Sequence, residues 1–182
     1  MKFTTTGLEE NLLIELEPSV DDRGFFARFY CEKEFSENGL NTRWVQINNS
    51  LSIERGTLRG LHYQRVPAAE TKLIRCTKGA IWDVVVDLRE DSATFGKWFG
   101  ATLTDENRIM MYAPAGFAHG FISLTPNTEI LYLVSDFYTP SAEQTLLWND
   151  PTISIAWPIT PTVISEKDQH GTPFPSVRRS SK

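Results

Sequence analysis

The run Leu58-Arg59-Gly60-Leu61-His62-Tyr63-Gln64, followed by Lys72, sets an imidazole between two fixed cations in a strand-like segment. A neutral imidazole can accept a proton. Arginine and lysine can hold an anionic molecule and stabilise the negative charge that proton loss creates. That grouping suggests carbon-acid chemistry on a charged small molecule, with the rest of the chain supplying an acid, an orienting carboxylate and a pocket.

The remaining composition narrows the alternatives. At 182 residues the chain fits one domain, 1–182, burying roughly 70% of the surface its unfolded form exposes. A net charge of −5 argues against nucleic acid as a partner. Cys31 and Cys76 are too few for a disulfide framework, and no apolar run approaches the ~20 residues that cross a bilayer, so a cytoplasmic location without a membrane partner is expected. His62, His119 and His170 form no close pair, which gives no sign of a metal site.

Such groups need a scaffold, and the pattern along the chain is mostly period two. Strands are predicted at Leu12–Leu16, Phe25–Tyr30, Leu73–Cys76, Ala80–Leu88, Trp98–Leu103, Ile109–Ala113, Ala118–Leu124 and Glu129–Tyr138. Thr77-Lys78-Gly79 reads as a hairpin turn between two of them. Glu32–Asn38 is the best short helix, with Gly39 placed to stop it. Many short strands with almost no helical period favour an all-β sandwich, jelly roll or barrel. Residues 178–182 are small, polar and basic, and a frayed tail is expected there.

Strand parity sorts the side chains further. Asp83 and Asp87 share a face with Ile81 and Val85, so that face is either wet or holds partnered carboxylates. Tyr132 and Tyr138 share a parity and could line one cavity. In a regular strand His62 would lie opposite Arg59, leaving the arginine to anchor a remote part of a ligand.

At these residues the chain resembles the dTDP-4-dehydrorhamnose 3,5-epimerase family of cupin-type enzymes. The resemblance spans about Leu12 to Asp168. It includes Asp22-Arg23-Gly24-Phe25-Phe26, Gln46-Ile47-Asn48-Asn49-Ser50, Leu58 to Gln64, Lys72-Leu73 and Asp83 to Arg89. It continues through Thr94 to Trp98, Pro114 to Phe121, Trp148-Asn149-Asp150-Pro151 and Ser165-Glu166-Lys167-Asp168. The order and number of these pieces make it specific.

The resemblance implies an all-β, cupin-like jelly roll with a few short helices, homodimeric through an N-terminal strand. It also implies an isomerase of rhamnose-type deoxysugar biosynthesis, acting on a nucleoside-diphosphate 4-keto-6-deoxyhexose without cofactor or metal. The C4 ketone acidifies the hydrogens on C3 and C5, and reprotonation from the opposite face inverts the carbon. In this reading His62 is the base, Asp168 holds its ring, Lys72 faces the C4 oxyanion and Tyr132 is the acid, with Tyr138 in reserve. Arg23, Phe26, Gln46, Asn48 and Arg59 fall to substrate contacts, arginine suiting phosphate through its planar donor fork. His119 falls near the sugar, with Asp83 as a hydrogen-bond partner. Taken singly, each has an ordinary structural reading, as a core histidine, a solvated lysine, a packed tyrosine or a tail aspartate.

The chain departs from many relatives at Arg28, Ile47, Leu133 and Phe137. The alternatives are therefore an epimerase acting at C3 or C5 alone on a CDP-linked sugar, a 3,4-ketoisomerase and a non-catalytic sugar-binding jelly roll.

Overall fold

The computed structural model describes residues 1–174, so the tail expected to fray at 178–182 lies outside the described residues. The chain opens with strands β1 (Lys2–Thr5) and β2 (Leu12–Glu15), then a projecting hairpin of β3 (Ser19–Asp21) and β4 (Gly24–Phe26). Helix α1 (Glu32–Glu37) follows. Glu32 and Glu34 favour its positive N-terminal end. Gly39, at φ +70°, ends it, and Leu40 N–H donates to Phe35 O at 2.9 Å. Phe35 is fully buried and meets Phe3 and Tyr30 edge-to-face.

Eight longer strands then build the body: β5 (Gln46–Ser52), β6 (Thr57–Gln64), β7 (Lys72–Lys78), β8 (Ala80–Asp87), β9 (Trp98–Thr104), β10 (Ile109–Ala113), β11 (Phe117–Ser123) and β12 (Thr128–Val134). Short β13 (Glu143–Thr145), β14 (Val163–Ile164) and helix α2 (Glu166–Gln169) complete the order. One sheet runs β1-β2-β10-β7-β12-β5 and the other β13-β6-β11-β8-β9, with β14 parallel to the start of β6. Ile74, Cys76 and Met111 of the first sheet pack against Ile81, Val85, Leu103 and Phe121 of the second. This face-to-face packing of antiparallel sheets is the jelly-roll solution to burying two apolar faces.

Several expected boundaries change. Thr77-Lys78-Gly79 is not a ladder hairpin: β7 and β8 belong to different sheets, and Gly79, at φ +76°, lies where the chain crosses between them. Of the Phe25–Tyr30 segment only Phe25 and Phe26 lie in a strand, because the ladder partner of β4 is the three-residue β3. The strand at Glu129 ends at Val134, so Asp136 to Tyr138 follow no strand parity. Strands β1, β5, β13 and β14 and helix α2 carry too little apolar alternation to be seen in the sequence.

Candidate active site

A cavity of about 410 Å³ lies between the two sheets. Strand β6 contributes Arg59 and His62, β11 contributes His119 and Phe121, and the facing sheet contributes Ser50, Lys72, Ile130 and Tyr132. The C-terminal segment closes one side with Ile164, Ser165, Lys167 and Asp168.

Arg59 and His62 share this cavity because β6 is not regular. Phe121 pairs with Arg59 while His119 pairs with His62, so two residues of β6 oppose one of β11. That bulge flips the side-chain phase between them and corrects the expectation that they lie on opposite faces. Gly60, at φ +121°, occupies the bulge, and a Cβ there would stand 2.6 Å from Gly120 Cα. Only glycine fits that approach.

Asp168 reaches His62 across 106 residues of sequence. Val163 and Ile164 pair with Thr57 and Leu58, which ties the segment before α2 to the beginning of β6. Ser165 caps α2, its hydroxyl accepting from Asp168 N–H at 3.2 Å. Asp168 Oδ1 then stands 2.6 Å from His62 Nε2, while Oδ2 accepts from Gly60 N–H at 3.1 Å. Burial opposes the charged carboxylate. The His62 hydrogen bond and charge, with the Gly60 and Ser165 bonds, outweigh it and hold Asp168 below the usual carboxylate range.

A second imidazole–carboxylate pair stands beside the first. His119 Nε2 is 2.7 Å from Asp83 Oδ1, and Asp83 is completely buried. Burial pushes the Asp83 carboxyl up, opposed by the His119 charge and hydrogen bond. The two aspartates of β8 are thus partnered rather than wet. Asp87, also fully buried, accepts from Arg89, Ser92 and Thr94.

Lys72 is 6% exposed, which removes the solvated reading. Its ammonium donates to His62 O at 3.1 Å and pairs with Glu70 Oε1 at 3.1 Å. Tyr132 projects from the opposite sheet to His62. Its hydroxyl is pushed up first by burial and then by the Glu70 charge, with Arg59 opposing, so it stays protonated at neutral pH. Arg59 is exposed and donates to Leu51 O and Ser52 Oγ; among the described residues no carboxylate pairs with it.

The other expected ligand contacts lie outside the cavity lining. Asn48 is the register partner of Tyr132, and Gln46 that of Val134, so both extend the Tyr132 face along β5. Gln46 Oε1 accepts from Tyr138 N–H at 3.0 Å. Tyr138 itself is 57% exposed, and its hydroxyl donates to Glu143 at 2.9 Å. Arg23 and Phe26 sit on the β3–β4 hairpin, exposed and away from this cavity. Leu133 packs on the outer face, opposite Tyr132. Sequence reasoning passed over Ser50, Lys167 and Glu70. Lys167 and Ser50 had a signal, since they lie inside the quoted Ser165-to-Asp168 and Gln46-to-Ser50 motifs; Glu70 had none.

A basic imidazole, a protonated phenol and a buried ammonium around one cavity can move protons to and from carbon while stabilising an enolate. The comparisons with known proteins agree. Residues 5–176 match the family model described as dTDP-4-dehydrorhamnose 3,5-epimerase. A Pseudomonas aeruginosa dTDP-4-dehydrorhamnose 3,5-epimerase is 46% identical over 176 residues, covering 96% of each chain. The crystal structure of the Elizabethkingia anophelis dTDP-4-dehydrorhamnose 3,5-epimerase superposes with a TM-score of 0.93 at 43% identity, covering 97% of each chain. A Legionella pneumophila dTDP-6-deoxy-D-glucose-3,5-epimerase in complex with dTDP-4-keto-L-rhamnose gives 0.90 at 37% identity, covering 96% of this chain and 93% of the other. With its fold, its cavity and nearly its whole length in agreement, this chain belongs to the dTDP-4-dehydrorhamnose 3,5-epimerase family.

Proposed function

We propose that this chain inverts C3 and C5 of dTDP-4-dehydro-6-deoxyglucose by removing and returning protons through an enolate, in rhamnose-type deoxysugar biosynthesis. One observation carries the reading: an imidazole from one sheet and a phenol from the facing sheet line a single cavity together with a buried ammonium.

His62 Nε2–H donates to Asp168, which leaves the lone pair on Nδ1 to take the proton. As the C–H bond breaks, its electron pair forms the C–C double bond and the C4 carbonyl becomes an oxyanion. The Lys72 ammonium stabilises that charge, a contribution of about 2.7–4 kcal/mol for one such donor. Tyr132 O–H delivers a proton to the opposite face, inverting the carbon. The imidazolium and the phenolate exchange protons with solvent, restoring both for the second centre. Asp168 fixes the ring, and His119, backed by Asp83, contacts the sugar.

Arg59, Gln46 and Asn48 bind the nucleotide end, Arg59 meeting the diphosphate as the cavity cation without a carboxylate partner among the described residues. The dTDP-linked sugar in the Legionella pneumophila relative supports thymine as the base. The working unit is a homodimer. Arg23 and Phe26 stand away from their own cavity, so their contact with substrate requires a second copy, and exposed Val20, Phe25 and Phe26 give the hairpin an apolar surface for it. The location is cytoplasmic: Cys31 and Cys76 are free thiols, and no helix among the described residues is long and apolar enough to cross a membrane.

Incubation with dTDP-4-dehydro-6-deoxyglucose in deuterated water, followed by NMR, tests the reading. Label at both C3 and C5 is expected. Label at one carbon makes the chain a mono-epimerase, and label at neither removes epimerisation.

A further inference from the structure

Glu70 has no place in the scheme above, yet it is the carboxylate that meets the ammonium of the cavity. It precedes β7 by two residues, and its side chain is 12% exposed against 8% for Lys72. Its two oxygens are engaged separately: Oε1 pairs with Lys72 Nζ at 3.1 Å, and Oε2 accepts from Gln64 Nε2 at 3.1 Å. Gln64 is itself fixed, since its two Nε2 hydrogens are shared among Glu70 Oε2, Ala68 O and Phe137 O while Oε1 accepts from Thr139 N–H at 2.6 Å. The carboxylate is therefore clamped from behind and cannot follow the lysine.

An ammonium has three N–H groups. Glu70 Oε1 and His62 O take two of them, and the third is left for the cavity that Lys72 lines. Two fixed acceptors on a flexible side chain define where the third donor points. A buried ammonium without its carboxylate would be costly to keep in place.

We propose that Glu70 is a positioning residue of the reaction: its clamped carboxylate aims the Lys72 ammonium at the substrate oxygen and sets the charge felt by the Tyr132 hydroxyl. The second part follows from where the charges lie. Lining the cavity with Tyr132 are Lys72 on β7, Arg59 and His62 on β6, His119 on β11 with Asp83 behind it, and Lys167 and Asp168 on α2, with Glu70 ahead of β7 paired to Lys72; the β5 neighbours of Tyr132, Asn48 and Ser50, are neutral. Of these, Glu70 is the carboxylate that raises the Tyr132 hydroxyl, and Arg59 the cation that lowers it. Burial raises the Tyr132 hydroxyl most and the Glu70 charge adds to it, while the same carboxylate holds the oxyanion donor in line.

The kinetic arm rests on the proposed epimerase reading, and the spectroscopic arm does not. Glu70→Gln and Glu70→Ala are compared with the native chain using dTDP-4-dehydro-6-deoxyglucose. Glu70→Ala is expected to lower kcat by about tenfold or more while KM changes little, the signature of a misaimed group acting in the transition state. Glu70→Gln, which keeps an oxygen acceptor for the ammonium, recovers part of that loss. Tyrosinate absorbance is then titrated in the native chain and in Glu70→Gln, each against its Tyr132→Phe counterpart to isolate one phenol. The Tyr132 transition is expected at lower pH in Glu70→Gln. Native kcat in Glu70→Ala overturns the positioning role, and an unmoved Tyr132 transition in Glu70→Gln overturns the charge role. If the native chain fails to turn this sugar over, the epimerase reading falls, while the titration still decides for or against Glu70.

Discussion

His62 and His119 are direct register partners on β6 and β11, and each imidazole Nε2 is held by a buried carboxylate, Asp168 at 2.6 Å and Asp83 at 2.7 Å. Register partners in an antiparallel pair share a face, so both rings enter one cavity. Their surroundings separate them. His62 keeps 33% of its side chain exposed, whereas His119 keeps 9%. The more accessible ring is the better placed to meet a substrate.

His62→Asn should remove the base and leave the fold intact, because asparagine can still donate a hydrogen bond toward Asp168. Turnover is expected to fall by about 10²–10⁴-fold. Deuterium incorporation at both carbons should vanish with it. Retained incorporation in a folded variant would place the base elsewhere.

Tyr132→Phe should divide the two halves of the reaction. The base can still remove a proton and return solvent deuterium to the same face, so incorporation with retained configuration should outlast inversion. Inverted product is expected to decline by about 10²-fold or more, as measured by coupling constants in the product spectrum.

Lys72→Met keeps the length of a buried side chain and deletes its charge. Loss of one oxyanion donor predicts a kcat about 10²–10³-fold lower, with KM nearly unchanged, in steady-state assays. A change confined to KM would assign Lys72 to ground-state binding instead.

The acid limb of stability should depend on Asp168. Burial opposes its charge, but the bonds from His62, Gly60 and Ser165 leave its folded pKa depressed. A depressed carboxyl stabilises the fold above its unfolded value, and that contribution is lost as pH falls through the folded value. Asp87 behaves alike, with burial outweighed by Arg89, Ser92 and Thr94. Urea midpoints across the acid range should therefore fall less steeply in Asp168→Asn than in the native chain.

Gly60→Ala should damage fold and site together. Its φ of +121° and the 2.6 Å approach to Gly120 leave no room for a methyl group. A loss of about 2–4 kcal/mol is expected from this strain, read as a lower denaturation midpoint. A stability equal to the native chain would mean that the bulge tolerates a side chain.

Read without coordinates, the residues give the all-β class and single out the groups that could move protons. Period-two alternation announced the long strands apart from β5, Gly39 marked the end of α1, and the runs around His62, Lys72, Tyr132 and Asp168 named the groups that meet in the cavity. Side-chain identity and local alternation are written residue by residue, so they can be read without coordinates.

Which of these groups face one another emerges from the packed strands. The bulge at Gly60 reverses the phase that puts Arg59 with His62, the passage from β7 to β8 changes sheets, and the end of β12 at Val134 leaves Tyr138 outside. Glu70 gave no local sign, because its partners Gln64 and Lys72 lie on two different strands. The reason is physical: a side chain's direction on a strand depends on cross-strand register, and register is fixed by pairing with residues far away in the chain.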